Sequence, residues 1–247
     1  MPDPVPVVLV AGSLHYDIMV EADHLPRRDE TAVGTRWYPK FGGKGGNQAV
    51  SVARQGVRAR MVGAVGIDDF AGFLRAGLTA AGVDDRFVRH TPGTGSGMSV
   101  ALMDPAGDYA ATIVSGANLT LGASEFVEDA VWEDVGLLIL QNEIPEAANI
   151  AAAAQAHKRG IRTLLNAAPY RPLSEDLVRV VNILVVNAIE AEMSGAGRVC
   201  CLHSAAEAAR TLANRFEVVI VTAGAQGLAA LDAEDQMLTL PPKRSKR

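Results

Sequence analysis

The glycine-rich segment from residue 41 to residue 48 is the part of the sequence best suited to bind a small ligand. It reads Phe41-Gly42-Gly43-Lys44-Gly45-Gly46-Asn47-Gln48. Glycines have no side chain, so backbone N–H groups at the start of the following helix can approach a ligand closely. Lys44 is followed by glycine rather than Ser or Thr, so the segment is not a P-loop, and Gln48 breaks the spacing of a dinucleotide-binding loop. The alternative is a tight turn packed on a sheet.

Two other polar groups of residues follow predicted strands. Asn187 and Glu190 are three residues apart at the start of a helix, which by itself is the spacing of a capping box. Thr222, Gly224 and Gly227 lie where a strand opens into a loop, and by themselves they indicate a turn.

The elements that must position these residues alternate between short apolar runs and longer segments of helical period. Strands are predicted at Val7–Ala11, Arg60–Val65, Leu137–Leu140, Arg162–Leu165, Ile183–Val186 and Val218–Val221. Helices are predicted at Gly46–Gln55, Asp69–Ala81, Glu146–Arg159, Ser174–Val180 and Ser204–Phe216. Nearly continuous apolar strands separated by helices indicate a parallel sheet covered on both faces, and therefore the α/β class.

Two segments interrupt this alternation. Residues 16–39 contain strand-like pieces with no helix between them, and Ser99–Met103 and Tyr109–Val114 flank a turn at residues 104–108. We expect them to form a small β lid over a site. The predicted division is an α/β core of residues 1–15, 40–95 and 115–247, and a lid of residues 16–39 and 96–114.

The composition excludes several classes of protein. Hydrophobic residues are 49% and charged residues 21% of the chain, as in globular proteins, and the net charge of −5 argues against a nucleic-acid partner. No apolar run approaches the roughly 18 residues of a membrane span. The two cysteines, Cys200 and Cys201, are adjacent and form no disulfide framework, so we expect a reducing, cytoplasmic location.

Several further motifs accompany the glycine-rich run from about residue 7 to about residue 242. They are Gly12–Asp17, Gly66–Asp69, Ser115–Asn118, Leu140–Glu143, Asn166–Pro169, Asn187–Glu190 and Thr222–Gly227. Together they resemble the ribokinase or pfkB-type carbohydrate kinase family. Within that family, Lys44 after the paired glycines and Asn47-Gln48 at the end of the segment are most similar to the pattern of the ribokinase branch. The resemblance implies a three-layer α/β/α fold with a mostly parallel central sheet, and transfer of the γ-phosphoryl group of ATP to a primary hydroxyl of a sugar.

The resemblance also implies which residues contact the sugar. They are Asp17, Gly42, Gly43, Lys44, Asn47 and Glu143. A polyol needs acceptors such as the two carboxylates together with donors such as the lysine and asparagine side chains, so the chemistry agrees. For any one of them the alternative is a surface charge or a helix cap.

Position 15 departs from the family pattern, because a ribokinase has Asn where this chain has His15. If the imidazole contacts the sugar, the substrate need not be ribose, and related sugars and nucleosides remain open. The alternative is a structural histidine with a hydrogen bond at the strand end.

The resemblance implies a nucleotide site and a metal site near the two remaining groups. Asn187 and Glu190 are expected near Mg²⁺ and its waters, with Glu190 as an outer-sphere acid, although a capping box explains the same pair. Asn187, Thr222, Gly224 and Gly227 are expected near ATP. The family's monovalent-cation loops have no counterpart in the sequence.

The family places its catalytic base in a Gly-Ala-Gly-Asp element after the Thr222 loop, and this sequence contains no such element. Ala106-Gly107-Asp108 resembles half of it, but a hairpin turn explains that better. We therefore expect a C-terminally truncated chain that is catalytically disabled. Because the missing helices would leave apolar surface of the sheet exposed, we also expect it to be poorly soluble or dependent on a partner.

The last five residues, Lys243-Arg244-Ser245-Lys246-Arg247, are abruptly basic, and a frameshift or premature stop is our hypothesis for them. A nucleic-acid-binding or targeting patch is the alternative.

Two functions follow. The first is an ATP- and Mg²⁺-dependent sugar kinase by descent, whose lid mediates a homodimer as in ribokinases. The second is a non-catalytic remnant that binds a sugar or a protein partner. A dinucleotide oxidoreductase is disfavoured, because no glycine fingerprint follows the first strand.

Overall fold

A computed structural model of the protein describes residues 6–242. The strands are β1 (Val7–Ala11), β2 (His15–Ala22), β3 (Gly34–Gly42), β4 (Ala59–Val65), β5 (Asp84–His90), β6 (Gly97–Met103), β7 (Tyr109–Val114), β8 (Val135–Gln141), β9 (Arg162–Asn166), β10 (Ile183–Asn187), β11 (Val218–Thr222), β12 (Leu228–Leu231) and β13 (Met237–Leu240). The α-helices are α1 (Lys44–Arg54), α2 (Asp69–Ala80), α3 (Asp129–Trp132), α4 (Glu146–Lys158), α5 (Glu175–Val178), α6 (Ala188–Ala191) and α7 (Leu202–Leu212).

The central sheet has nine strands in the order β13-β12-β11-β10-β9-β8-β1-β4-β5. The strands from β11 to β5 pair in parallel, and β12 and β13 add an antiparallel edge. The predicted α/β class with a mostly parallel sheet is therefore confirmed. The sequence analysis missed β5, whose residues are mostly charged, and the edge strands β12 and β13, which have only four residues each.

The core lies on both faces of this sheet. Leu9 belongs to one buried cluster, together with Leu138 and Leu165, whereas the next residue, Val10, belongs to a second cluster that includes Leu74. Successive side chains of a strand point to opposite faces, so β1 alone shows that the sheet is covered on both sides.

The glycine-rich segment enters the helix earlier than its sequence indicates. Helix α1 begins at Lys44 rather than at the predicted Gly46, and Gly43 is its N-cap with φ of 87°. The low helix propensity of glycine conceals this start. As a result, the backbone N–H of Lys44 is one of the free donors of the first turn.

A second sheet holds four strands in the order β3-β2-β6-β7. It contains the predicted β6–β7 hairpin, whose turn closes with a hydrogen bond from the Asp108 backbone N–H to the Asp104 side chain. Asp108 thus lies in a hairpin turn, as predicted. The division of the chain into a core and a lid stays a prediction.

Asp68 connects the start of α2 to the segment that enters β6. Its carboxylate accepts the backbone N–H of Ala71 as the helix N-cap, and it accepts both the backbone N–H and the hydroxyl of Ser96. Burial raises the pKa of Asp68, but these hydrogen bonds outweigh it, so that the pKa lies below its usual value.

We expect Asp68→Ala to lower the free energy of unfolding by about 1 kcal/mol at pH 7, the usual cost of losing an N-cap. Because the folded-state pKa is depressed, the stabilisation by the carboxylate is complete above the unfolded-state pKa near 4 and declines as the pH falls through the folded-state pKa. Urea unfolding of both proteins between pH 7 and pH 3 measures the difference. Asp69→Ala, one residue away, is the control, and an equal loss in that variant would contradict the role of Asp68.

Among residues 6–242, no helix is long and apolar enough to cross a membrane. The basic segment of residues 243–247 lies outside the described residues.

Candidate functional site

The candidate site residues gather at the carboxyl ends of the parallel strands, which is where open α/β sheets bind ligands. Ser13 follows β1 and Glu143 follows β8, whereas Asn187 ends β10 and Thr222 ends β11. Strand β9 separates β8 from β10, so the two groups stand about 10 Å apart at the usual strand spacing. The edge therefore has two halves, one at β1 and β8 and one at β10 and β11.

The first half contains a cavity of about 290 Å³ between the two sheets. Six of the seven residues expected at the sugar line it, namely His15, Asp17, Gly43, Lys44, Asn47 and Glu143. The seventh, Gly42, lies beneath Asp17, and a side chain there would collide with the carboxylate. Lys40 also lines the cavity, which thus offers two carboxylates as acceptors, and two ammonium groups and an amide as donors.

Asp17 is oriented by a residue that the sequence analysis missed. The hydroxyl of Ser99 on β6 donates to Asp17 Oδ1 at 2.6 Å, and Ser99 faces Asp17 in the register of the parallel pair β2–β6. The contact joins residues 82 positions apart in the sequence. Only knowledge of the β2–β6 pairing could have revealed it.

We expect Ser99→Ala to weaken sugar binding about fivefold to tenfold, because Asp17 loses the hydrogen bond that orients its carboxylate toward the sugar. Ser99→Thr retains the hydroxyl and should restore the affinity. Calorimetric titration of both variants with the sugar checks this. Equal affinities in wild type and Ser99→Ala would show that Asp17 needs no support from β6.

Glu143 joins the loop after β8 to the start of α1. Its Oε2 accepts the backbone N–H of Lys44 at 2.8 Å and the hydroxyl of Ser13, which is fully buried. The ammonium of Lys44 lies 4.0 Å from Oε1. The carboxylate therefore satisfies a free donor at a helix N-terminus, where negative charge is favourable, and it keeps Oε1 for a ligand.

Gly43 makes this approach possible. Its φ of 87° belongs to the left-handed region, and a Cβ would lie 2.7–2.8 Å from backbone atoms of Ser13, Leu14 and His15. No L side chain fits there without moving β1 or α1. The glycine therefore sets how closely the helix N-terminus approaches the cavity.

His15 is the first residue of β2 and is 4% exposed. Its Nε2 is buried and has no hydrogen-bond partner among the described residues, so the alternative of a hydrogen-bonded structural histidine finds no support at this atom. Burial lowers the pKa of His15, Glu143 and Asp17 raise it, and Lys44 lowers it, with a net decrease. The imidazole is thus neutral near pH 7, when one ring nitrogen donates and the other accepts.

The second half of the edge is built around Asn187 and Glu190. The two residues form a reciprocal capping box on α6, in which each side chain accepts the backbone N–H of the other, at 2.8 and 2.9 Å. The capping box that the spacing indicates is therefore present. Among residues 6–242, no three His, Cys, Asp or Glu side chains come together as a metal site.

The Thr222 loop lies beside this capping box. Asn187 and Thr222 face each other at the ends of the paired strands β10 and β11, and Gly224 and Gly227 both have positive φ. A side chain at Gly227 would collide with the carbonyl of Leu240 on β13, which explains the glycine there by packing. Whether these residues contact a nucleotide stays a prediction.

Comparison with known proteins finds one family over nearly the whole chain. The family model described as pfkB family carbohydrate kinase matches residues 6–246. Ribokinase from Mus musculus is 33% identical over 227 residues, which cover 91% of this chain and 70% of the mouse protein.

Two solved structures are similar over nearly the whole chain. The Arabidopsis thaliana ribokinase, complexed with ribose and ATP, superposes with a TM-score of 0.89 at 25% identity, covering 99% of this chain and 80% of that one. Ribokinase from Thermotoga maritima has a TM-score of 0.83 at 26% identity, with 98% and 79% covered. The family model spans nearly the whole chain and the similar structures share its fold, so the chain belongs to the pfkB family of carbohydrate kinases.

Proposed function

We propose that this site binds ribose or a related sugar and is built for phosphorylation of a primary hydroxyl by ATP. The observation that carries the proposal is the convergence of Asp17, Lys44, Asn47 and Glu143 on one cavity. Sugar hydroxyls would donate to the two carboxylates and accept from the ammonium and the amide. The similar Arabidopsis ribokinase, which was solved with ribose and ATP, supports this assignment.

His15 would be the residue of this set that distinguishes the chain from ribokinases. A neutral imidazole with an unpartnered Nε2 beside Asp17 and Glu143 is able to exchange a hydrogen bond with a ligand. Asn in the same place would offer an amide instead. We therefore leave the sugar as ribose or a related compound, to be decided by titration with a panel of sugars and nucleosides.

ATP would lie along the ends of β10 and β11, against Asn187, Thr222, Gly224 and Gly227. Mg²⁺ fits there only in part, because the capping box uses Asn187 Oδ1 and Glu190 Oε2. Glu190 would then accept from water of the hydrated ion, whose remaining ligands are phosphate oxygens and waters. When bound, Mg²⁺ would neutralise part of the negative charge of the phosphates. We assign no residue to a monovalent cation.

Among residues 6–242, we find no carboxylate at the cavity that is left over to act as the catalytic base. Within the described part of the chain, the carboxylates that line the cavity are Asp17 and Glu143. One oxygen of each accepts a hydrogen bond from the protein, and we assign the other to hold the sugar. A general base must be free to take the proton of the attacking hydroxyl. We therefore propose that the 247-residue polypeptide binds sugar without turning it over, which is the non-catalytic function.

The lid would pair with a second copy of the chain. Its strands leave the large apolar side chains of Trp37 and Val114 exposed, whereas the exposed Tyr109 and Ile113 line the sugar cavity. Exposed large apolar side chains are candidates for contact with a partner. Sedimentation of the protein should then give the mass of a dimer.

Calorimetry and a coupled kinase assay on the 247-residue chain test the proposed function. We expect binding of ribose or a related sugar, together with no turnover when ATP and Mg²⁺ are added. Turnover would refute the absence of a base, since one of the two cavity carboxylates would then take that role. If no member of the sugar panel binds, the assignment of the cavity as a sugar site is wrong.

A further inference from the structure

A second cavity, which shares no lining residue with the sugar cavity, lies between α7 and the loop that joins β9 to α5. It has a volume of about 260 Å³, the equivalent of roughly nine waters at about 30 Å³ each. Its apolar wall includes Leu184, Leu212 and Phe216, and the other wall carries Arg171. The cavity therefore combines a mostly apolar interior with one half-buried guanidinium.

Only one of the three guanidinium nitrogens of Arg171 has a hydrogen-bond partner among the described residues. Its Nη1 donates to the carbonyl of Ile144 at 3.0 Å, whereas Nε and Nη2 are buried and have no partner among the described residues. The N–H bonds of Nε and Nη2 point along the same edge of the planar guanidinium. That edge is the fork that binds the two oxygens of a carboxylate or phosphate.

The surroundings leave this fork without an anion. Burial lowers the pKa of the Arg171 guanidinium, and the charge of Glu146 raises it by a smaller amount. Glu146 Oε1 accepts the backbone N–H of Ser174, and residues 6–242 include no carboxylate in a direct ion pair with Arg171. The other arginine at this cavity, Arg215, is already paired with Glu175. Arginine stays protonated in proteins, so a buried cation with two free donors remains.

Two hydroxyls that line the cavity already donate hydrogen bonds to backbone carbonyls. Ser194 donates to the carbonyl of Glu190, and Thr211 donates to the carbonyl of Glu207, each one turn earlier in the chain. They therefore do not compete for the fork. A buried donor without a partner is unfavourable, and a ligand oxygen would supply that partner.

We propose that this cavity is a binding site for a small oxyanion carried on an apolar body, with the Arg171 fork holding two of its oxygens. Carboxylate and phosphate share this chemistry, and the apolar wall would contact the rest of the ligand. Both donors are closed off from solvent, so a covering side chain must move when the ligand enters. The site is separate from the sugar cavity and does not depend on the proposed function.

Titration of the 247-residue protein with benzoate, phenyl phosphate and inorganic phosphate tests the proposal. We expect one molecule of benzoate or phenyl phosphate to bind per chain, more tightly than inorganic phosphate, and to shift the ¹H–¹⁵N signal of Arg171 Nε. The relative affinities of the first two decide between carboxylate and phosphate. Equal binding of inorganic phosphate would remove the apolar part of the proposal, and no binding of any probe at millimolar concentration would overturn it.

Two variants and a control locate the ligand. Arg171→Lys keeps the charge but has no fork, so affinity should fall at least about tenfold. Thr211→Trp fills the cavity from an exposed position and should abolish binding even if Arg171→Lys does not fold. Arg179→Lys, on an exposed arginine, makes the same chemical change and should bind as wild type. Unchanged binding in both cavity variants, or an equal loss in the control, would contradict the site.

Discussion

Replacing Asp17 by alanine should reduce the affinity for the sugar by at least about 100-fold. The carboxylate faces the cavity on β2, and each hydrogen bond to a charged acceptor contributes about 1.5–3 kcal/mol, so that two sugar hydroxyls account for the effect. Asp17→Asn keeps one acceptor atom but loses the charge, and it should bind about tenfold more weakly than wild type. Calorimetric titration with the sugar measures both.

The control for this experiment is Glu21→Ala, which removes a carboxylate from the same strand, β2, outside the lining of the cavity. Its sugar affinity should equal that of wild type. Urea unfolding of Asp17→Ala shows whether the loss is local, and we expect a small change, because the partner lost is one hydroxyl of Ser99. Wild-type affinity in Asp17→Ala would exclude the carboxylate from the binding site.

Replacing Glu143 by alanine should lower both the stability and the sugar affinity. The change leaves the hydroxyl of Ser13 and the backbone N–H of Lys44 without an acceptor, and each buried unpaired donor costs about 1–3 kcal/mol. We therefore expect the free energy of unfolding to fall by about 2–5 kcal/mol in urea denaturation. Glu143→Gln retains one carbonyl acceptor, so its free energy of unfolding should lie between those of Glu143→Ala and wild type.

A double-mutant cycle separates this network from a general loss of charge. Ser13→Ala removes one donor, so its cost should be smaller in the Glu143→Gln background than in wild type, with a coupling of about 1 kcal/mol. The exposed Glu133→Gln is the matched control and should leave the stability within about 0.5 kcal/mol of wild type. Additive effects of Ser13→Ala and Glu143→Gln would mean that the two side chains do not interact.

How much of the site could be predicted depends on how local each contact is. The capping box of Asn187 and Glu190 could be predicted, because two residues only three positions apart make it. The bonds from Ser99 to Asp17 and from Ser13 to Glu143 were not, because they join residues 82 and 130 positions apart. No periodicity or motif in the sequence reports such pairs.

The secondary structure also divides into elements that the local sequence predicts and elements that it does not. Continuous apolar runs such as Val7–Ala11 can be buried only between two helical layers, which is why the parallel sheet was predictable. Strand β13 is half exposed at the edge, and its sequence does not distinguish it from a loop. The start of α1 at Lys44 was also hidden, since the glycines favour no helix until Glu143 and β1 hold them in place.

By itself, the sequence determined that the chain has a parallel α/β core and a glycine-lined polar site, because burial patterns and backbone freedom are properties of residue types in order. Only the tertiary structure decided which donor meets which acceptor. It brought Ser99 to Asp17 and Ser13 to Glu143, and it left the fork of Arg171 without a partner. Hydrogen bonds need atoms about 3 Å apart, and for distant residues only the packing of the whole chain sets that distance.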